Sequence, residues 1–156
     1  MPLIEWDDRR YSTGIDRYDK QHQRLFEVLN ELHDAMEEGR AEEELGDVLR
    51  ELERYTEYHF TDEEEFMQGC GFADDCSECF FGHQEMHEEF ADKVTELREK
   101  HEQGEYITME VLEFARDWLD SHIAGGEQDQ SYGEYFANKV DNYDFSSHDI
   151  DESTFQ

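Results

Sequence analysis

The sequence predicts an all-α fold, an antiparallel up-down four-helix bundle preceded by a non-helical N-terminal arm. Two observations predict it. Apolar residues recur at three- and four-residue spacing in four separate stretches, while strand-like alternation is scarce. The single proline stands at position 2, so none interrupts a helix interior.

The first helix is expected over about 19–38, on Leu25, Phe26, Val28, Leu29, Leu32 and Met36, with Gly39 as its stop. The second covers about 41–67, through Leu45, Val48, Leu49, Leu52, Tyr55 and Phe60. The third covers about 80–101, through Met86, Phe90, Val94 and Leu97, and Gly104 closes it. The fourth starts near Thr108, a credible N-cap, and runs through Val111, Leu112, Phe114, Ala115, Trp118, Leu119 and Ile123. Short connections between amphipathic helices make neighbours antiparallel. Residues 1–18 form an aromatic-rich arm expected to pack on the bundle. One domain is expected over 1–140, followed by an acidic, frayed tail over 141–156.

The chain has 156 residues, enough to bury a core without disulfide staples. Asp and Glu number 44 against 13 Lys and Arg, a formal net charge of −31. That charge repels phosphate and disfavours nucleic acid and anionic membrane surfaces alike. No apolar run approaches the ~20 residues of a membrane span. The first residues lack the basic start and apolar stretch of a secretory signal, so a cytoplasmic location is expected. A mean hydropathy of −1.03 raises the question of disorder. An aromatic content of 13% argues for a folded domain instead. The acidic, lysine-poor composition resembles that of proteins from salt-loving sources, where screening relieves the self-repulsion, and an ordinary acidic protein is the alternative.

Eight histidines are present, and five sit where the helices can turn them inward. His83 and His87 are four apart on one helix face, as are His59 and Glu63. His22 lies in the first helix and His122 near the end of the fourth. Each helix therefore offers nitrogen or oxygen donors to a common interior. Five imidazoles with carboxylates exceed the needs of one ion, and a two-metal centre fits them. His33, His101 and His148 carry the plainer reading of surface or core histidines. Gln84 after His83 excludes a zincin pair. No Glu-x-x-His occurs, which excludes a ferritin-type carboxylate site.

The residues at this point resemble the hemerythrin family, over about residues 6–132. Trp6 followed by Gly14-Ile15-Asp16-x-x-Asp19-x-Gln21-His22-x-x-Leu25-Phe26 resembles its first-helix segment. Tyr55-x-x-x-His59-Phe60-x-x-Glu63-Glu64-x-x-Met67 resembles its second. His83-x-x-x-His87-x-x-Phe90 and Trp118-Leu119-x-x-His122-Ile123 resemble the third and fourth.

The resemblance implies reversible oxygen binding at a non-haem di-iron centre with an oxo or hydroxo bridge. Carried over by position, His83, His87 and His122 hold one iron. His22 and His59 hold the other, which keeps a position open for dioxygen. Glu63 bridges the two. A second bridging carboxylate is expected five residues after His122, where this chain has Glu127 instead of the family's Asp. Asp129 is the alternative, as if Gly125-Gly126 marked an insertion. On a regular helix Asp129 lies roughly 10.5 Å beyond His122 along the axis, so reach favours Glu127. The glycines can loosen the helix locally, which keeps Asp129 open.

Phe60, Trp118, Leu119 and Ile123 are the candidate apolar lining of the oxygen pocket. Ligand imidazoles need partners on their second nitrogen. Glu64 is one candidate, with a solvated surface role as its default. Besides dioxygen, nitric oxide or other small anions at the open iron, and a protein partner, are compatible with the family. The leading reading is a carrier, store or local supplier of oxygen, and not an enzyme. The alternatives are an oxygen, redox or nitric-oxide sensor acting through a partner, or a di-iron enzyme handling peroxide or nitric oxide.

Cys70, Cys76 and Cys79 lie between the second and third helices. Three reduced thiols are the default expectation. A Cys76–Cys79 redox pair and a three-cysteine zinc clip are the alternatives.

Overall fold

The computed structural model describes residues 3–12, 16–124 and 143. Its helices are α1 (Asp8–Tyr11), α2 (Asp16–Glu37), α3 (Ala41–Gly69), α4 (Phe72–Asp75), α5 (Ser77–Glu102) and α6 (Thr108–Ala124). The four long ones form the expected bundle. α3 packs along both α2 and α5, and α6 closes the ring against α2, α3 and α5. None of the described helices is long and apolar enough to cross a membrane.

Two of the expected stops are built as expected. Gly39 and Gly104 adopt φ of 77° and 87°, a region open to glycine at little cost. At the first, the Arg40 amide reaches the Ala35 carbonyl at 2.7 Å and the Gly39 amide reaches Met36 at 3.2 Å. At the second, Glu105 reaches Lys100 at 3.1 Å and Gly104 reaches His101 at 3.0 Å. Each is a paired closure that satisfies the last carbonyls of a helix and turns the chain sharply.

The starts differ more from expectation. α2 begins three residues earlier than the apolar period suggests, with Asp16 and Asp19 complementing the positive end of the helix dipole. α5 begins at Ser77 instead of Phe80 because Cys76 caps it, accepting the Cys79 amide at 3.3 Å. Thr108 does not cap α6: it is the first helical residue, and the Ile107 carbonyl already accepts the Val111 amide at 3.0 Å. The Thr108 hydroxyl turns instead to Glu42 at 3.3 Å.

The main core fills the bundle with Leu25, Leu29, Leu49, Leu52, Phe90 and Leu112 among others, each at most 1% exposed. Full burial of one such side chain is worth about 1.5–3 kcal/mol. A smaller cluster of Tyr18, Phe66, Met67, Phe72 and Phe80 covers the end where α3, α4 and α5 meet. Tyr143 returns to this end, its ring centroid 5.0 Å from that of Phe66. The rest of the expected 141–156 tail lies outside the described residues.

The arm packs on the bundle through its aromatics and contains one helical turn, α1. Tyr11 meets Phe26 edge-on at 4.9 Å and Trp6 meets Phe26 at 5.5 Å. Asn30 holds the Ile4 backbone at both its amide and its carbonyl. Asp120 of α6 accepts from Arg10 through both oxygens and from the Tyr11 hydroxyl at 2.7 Å.

The cysteines correct the default expectation of three reduced thiols. Cys76 and Cys79 form a disulfide, their Cα atoms 5.3 Å apart. Three-residue spacing across the first turn of α5 brings the two side chains within bridging range. Cys70 is not part of the bridge, and with the pair oxidised there is no three-thiolate zinc clip.

Candidate metal centre

The helical period places His22 on α2, His59 and Glu63 on α3, His83 and His87 on α5, and His122 on α6 at one level of the bundle. All six are buried, at most 2% exposed. Their ligand atoms form two groups: Glu63 with His83, His87 and His122, and Glu63 with His22 and His59. Within each group the atoms lie within 4.8 Å of one another. Glu63 belongs to both.

The two carboxylate oxygens of Glu63 face different partners. Oε2 lies 3.4 Å from Nε2 of His59 and 4.0 Å from Nε2 of His22. Oε1 contacts Nε2 of His83 and lies 3.7 Å from Nε2 of His87. The Nε2 atoms of His22 and His59 are 3.1 Å apart. His122 completes the ring of imidazoles, its centroid 5.0 Å from His83 and 5.3 Å from His87. His33 and His101 join neither group. His33 belongs instead to an outer set with Asp34 and Glu37. His148, Glu127 and Asp129 lie outside the described residues.

Outer partners orient two of the rings. Nδ1 of His59 is 2.6 Å from Oε1 of Gln21, and Nδ1 of His87 is 3.0 Å from Oε2 of Glu64. With Nδ1 donating to these oxygens, Nε2 carries the lone pair and faces the cluster. Glu64 also accepts from Gln84 at 2.7 Å, so its default reading as a solvated surface residue is corrected. Burial pushes the Glu64 carboxyl up from its ordinary value, against the opposing Gln84 hydrogen bond.

Gln21 is itself held. Its amide donates to the Tyr58 hydroxyl at 3.2 Å and to Asp62 at 3.0 Å. Asp62 takes both forks of Arg17, each at 2.7 Å. This hydrogen bonding raises the Arg17 guanidinium further above its ordinary value, against the opposing effect of burial. The Tyr18 hydroxyl donates to the Asp62 carbonyl at 3.1 Å, and burial pushes that phenol well up.

Sequence alone assigns Gln21 no role and does not reveal Arg17, Tyr58 and Asp62 as a chain of support. The available signal was the adjacency of Gln21 to His22 and of Asp62 to Glu63, because a polar side chain beside a buried ligand needs a partner.

Of the four expected lining residues, two touch imidazoles directly. Phe60 stacks on His87 with centroids 3.9 Å apart and an interplanar angle of 7°. Trp118 stacks on His122 at 4.4 Å and 18°. Both stacked rings therefore belong to the three-histidine group. Leu119 and Ile123 are buried in the core beside them. On the side of α3 and α5 a cavity of about 390 Å³ reaches Phe60, Glu64 and His87 from solvent.

Such a donor set suits a pair of borderline cations sharing one carboxylate. Comparisons with known proteins agree in kind. The hemerythrin HHE cation binding domain matches residues 13–129. A bacteriohemerythrin of Stenotrophomonas maltophilia is 37% identical over 128 residues, 82% of this chain and 79% of its own length. One from Methylococcus capsulatus is 33% identical over 134 residues, 85% of this chain and 96% of its own. A solved wild-type hemerythrin superposes with a TM-score of 0.75 at 32% identity, covering 86% of this chain and 98% of its own. With the matched family spanning all four helices that carry the histidines, this chain belongs to the hemerythrin family.

Proposed function

We propose that the chain binds dioxygen reversibly at two non-haem irons, as a carrier, store or local supplier. The observation that carries this reading is the division of Glu63, one oxygen toward His83 and His87 and the other toward His59 and His22. A carboxylate so placed can be shared between two cations and offset their charge. Five imidazoles and carboxylate oxygens are a donor set that iron accepts. Two irons held there would supply the electrons for reversible binding of dioxygen.

In this reading His83, His87 and His122 would hold one ion, His22 and His59 would hold the other, and Glu63 would serve both. Glu127, or Asp129 in its place, completes the set. Gln21 and Glu64 keep His59 and His87 in the tautomer that presents Nε2 inward. Phe60 and Trp118 lay apolar surface on His87 and His122, with Leu119 and Ile123 in the core beside them, and such apolar walls favour release of the bound gas over side reactions. In this reading the role of the cluster is binding and not turnover. The domain occupies 1–140 and works in the cytoplasm.

The test is metal analysis joined to visible spectra under argon and under air. Two irons per chain and an absorption band that appears in air and leaves under argon are expected. His122→Ala should lose most of one iron. Full iron retention in that variant refutes the ligand set, and sustained consumption of peroxide or nitric oxide refutes simple binding.

A further inference from the structure

The Cys76–Cys79 bridge does little that a structural disulfide does. It spans a sequence separation of only three, so it removes little freedom from the unfolded chain compared with a long closed loop. The segments on both sides are already held, since Phe72 and Phe80 are each 4% exposed in the cluster that closes this end of the bundle. The bridge is also not sealed away. Both cysteines are half-buried, and Asp74, Asp75, Ser77 and Glu78 around them are exposed.

Its position favours opening and closing. Cys76 caps the 26-residue α5, and its Sγ accepts the Cys79 amide at 3.3 Å. A sulfur at that place leaves as a thiolate that keeps a backbone N–H and faces the positive end of a long helix, which act against the repulsion from the exposed, solvent-screened Asp74, Asp75 and Glu78. A stabilised thiolate is the better leaving group in thiol–disulfide exchange. The two residues between the cysteines, Ser77 and Glu78, give the Cys-x-x-Cys arrangement of redox-active pairs.

We propose that Cys76 and Cys79 form a thiol–disulfide exchange site that takes two electrons from an uncharged or basic dithiol. A thiolate of the dithiol attacks Sγ of Cys79, forming a mixed disulfide, and the Cys76 sulfur leaves as a thiolate. The second thiol of the reagent then attacks its own sulfur in the mixed disulfide and releases Cys79. The reagent ends as a disulfide, and the chain ends as two thiols that have taken up two electrons and two protons. Asp74, Asp75 and Glu78 repel an anionic monothiol such as glutathione, so the charge around the pair selects against it. The reverse sequence, with an oxidised dithiol, closes the bridge again.

The experiment treats the folded protein with dithiothreitol or with reduced glutathione at equal thiol concentration and low salt. Free thiols are then blocked with a maleimide and located by peptide mass spectrometry. Dithiothreitol is expected to add labels at both Cys76 and Cys79 without denaturant, and oxidised dithiothreitol to remove them. Glutathione should open the pair about tenfold more slowly, and 1 M salt should narrow the gap. In the reduced protein at neutral pH, Cys76 should react with iodoacetamide roughly tenfold faster than Cys79. A bridge that resists dithiothreitol until the protein is unfolded, or that does not re-form, overturns the proposal. Equal alkylation of the two thiols removes the role given to the α5 terminus, and equal rates for the two reductants remove the charge selection.

Discussion

Gln21 sets its Oε1 2.6 Å from Nδ1 of His59, joining α2 to α3 behind Nε2, the ring nitrogen that faces Glu63. The contact decides which ring nitrogen faces the centre. A Gln21→Ala variant leaves the apolar core untouched but frees that ring. Iron retention against a chelator should fall by about 10–100-fold while helix content by circular dichroism stays the same. Unchanged retention would show that the amide has no part in holding the metal.

Behind Gln21 stands a second pair. The Asp62 side chain is fully buried, whereas that of Arg17 is 26% exposed. Arg17→Met leaves a carboxylate buried without its charge partner, which costs about 3–5 kcal/mol. Urea unfolding should register that loss. Arg17→Met combined with Asp62→Asn should recover much of it, since the uncompensated charge is gone.

Phe60 has two duties at one position. It is 6% exposed, belongs to the core, and lies flat on His87 at the inner end of the α3–α5 cavity. Phe60→Ala is expected to cost about 3–5 kcal/mol in denaturant unfolding. The same change opens the His87 side of the centre to water, so the air-exposed visible spectrum should decay faster than in the parent protein. A stable variant with unchanged decay would assign Phe60 to neither duty.

The net charge of −31 makes its own prediction. Some ion pairs ease it locally, as where Arg98 meets Glu53 at 2.6 Å and Glu102 at 2.9 Å. Like charges nevertheless dominate the surface, and salt screens them over about 10 Å at 0.1 M and about 3 Å at 1 M. The melting temperature should therefore rise as potassium chloride increases from low to molar concentration. A flat profile would show that self-repulsion does not limit this fold.

The four helices, the glycine stops at 39 and 104, and the histidines that meet inside are legible in the order of residues alone. These follow from local periodicity: a 3.6-residue repeat puts His83 with His87, and His59 with Glu63, on one face whatever surrounds them. The relations between helices belong to tertiary structure alone. Gln21 and His59 are 38 residues apart, and no spacing rule says which buried polar group turns toward which ring. The same holds for Arg17 with Asp62 and for Phe60 laid on His87 instead of over the His22–His59 side. The Cys76–Cys79 bond lies between these cases: spacing permitted it, and the cap of α5 brought the sulfurs together. Local chemistry sets which way a residue faces on its own helix. Only the packing of helix on helix, where each buried donor must find an acceptor, sets what it meets there.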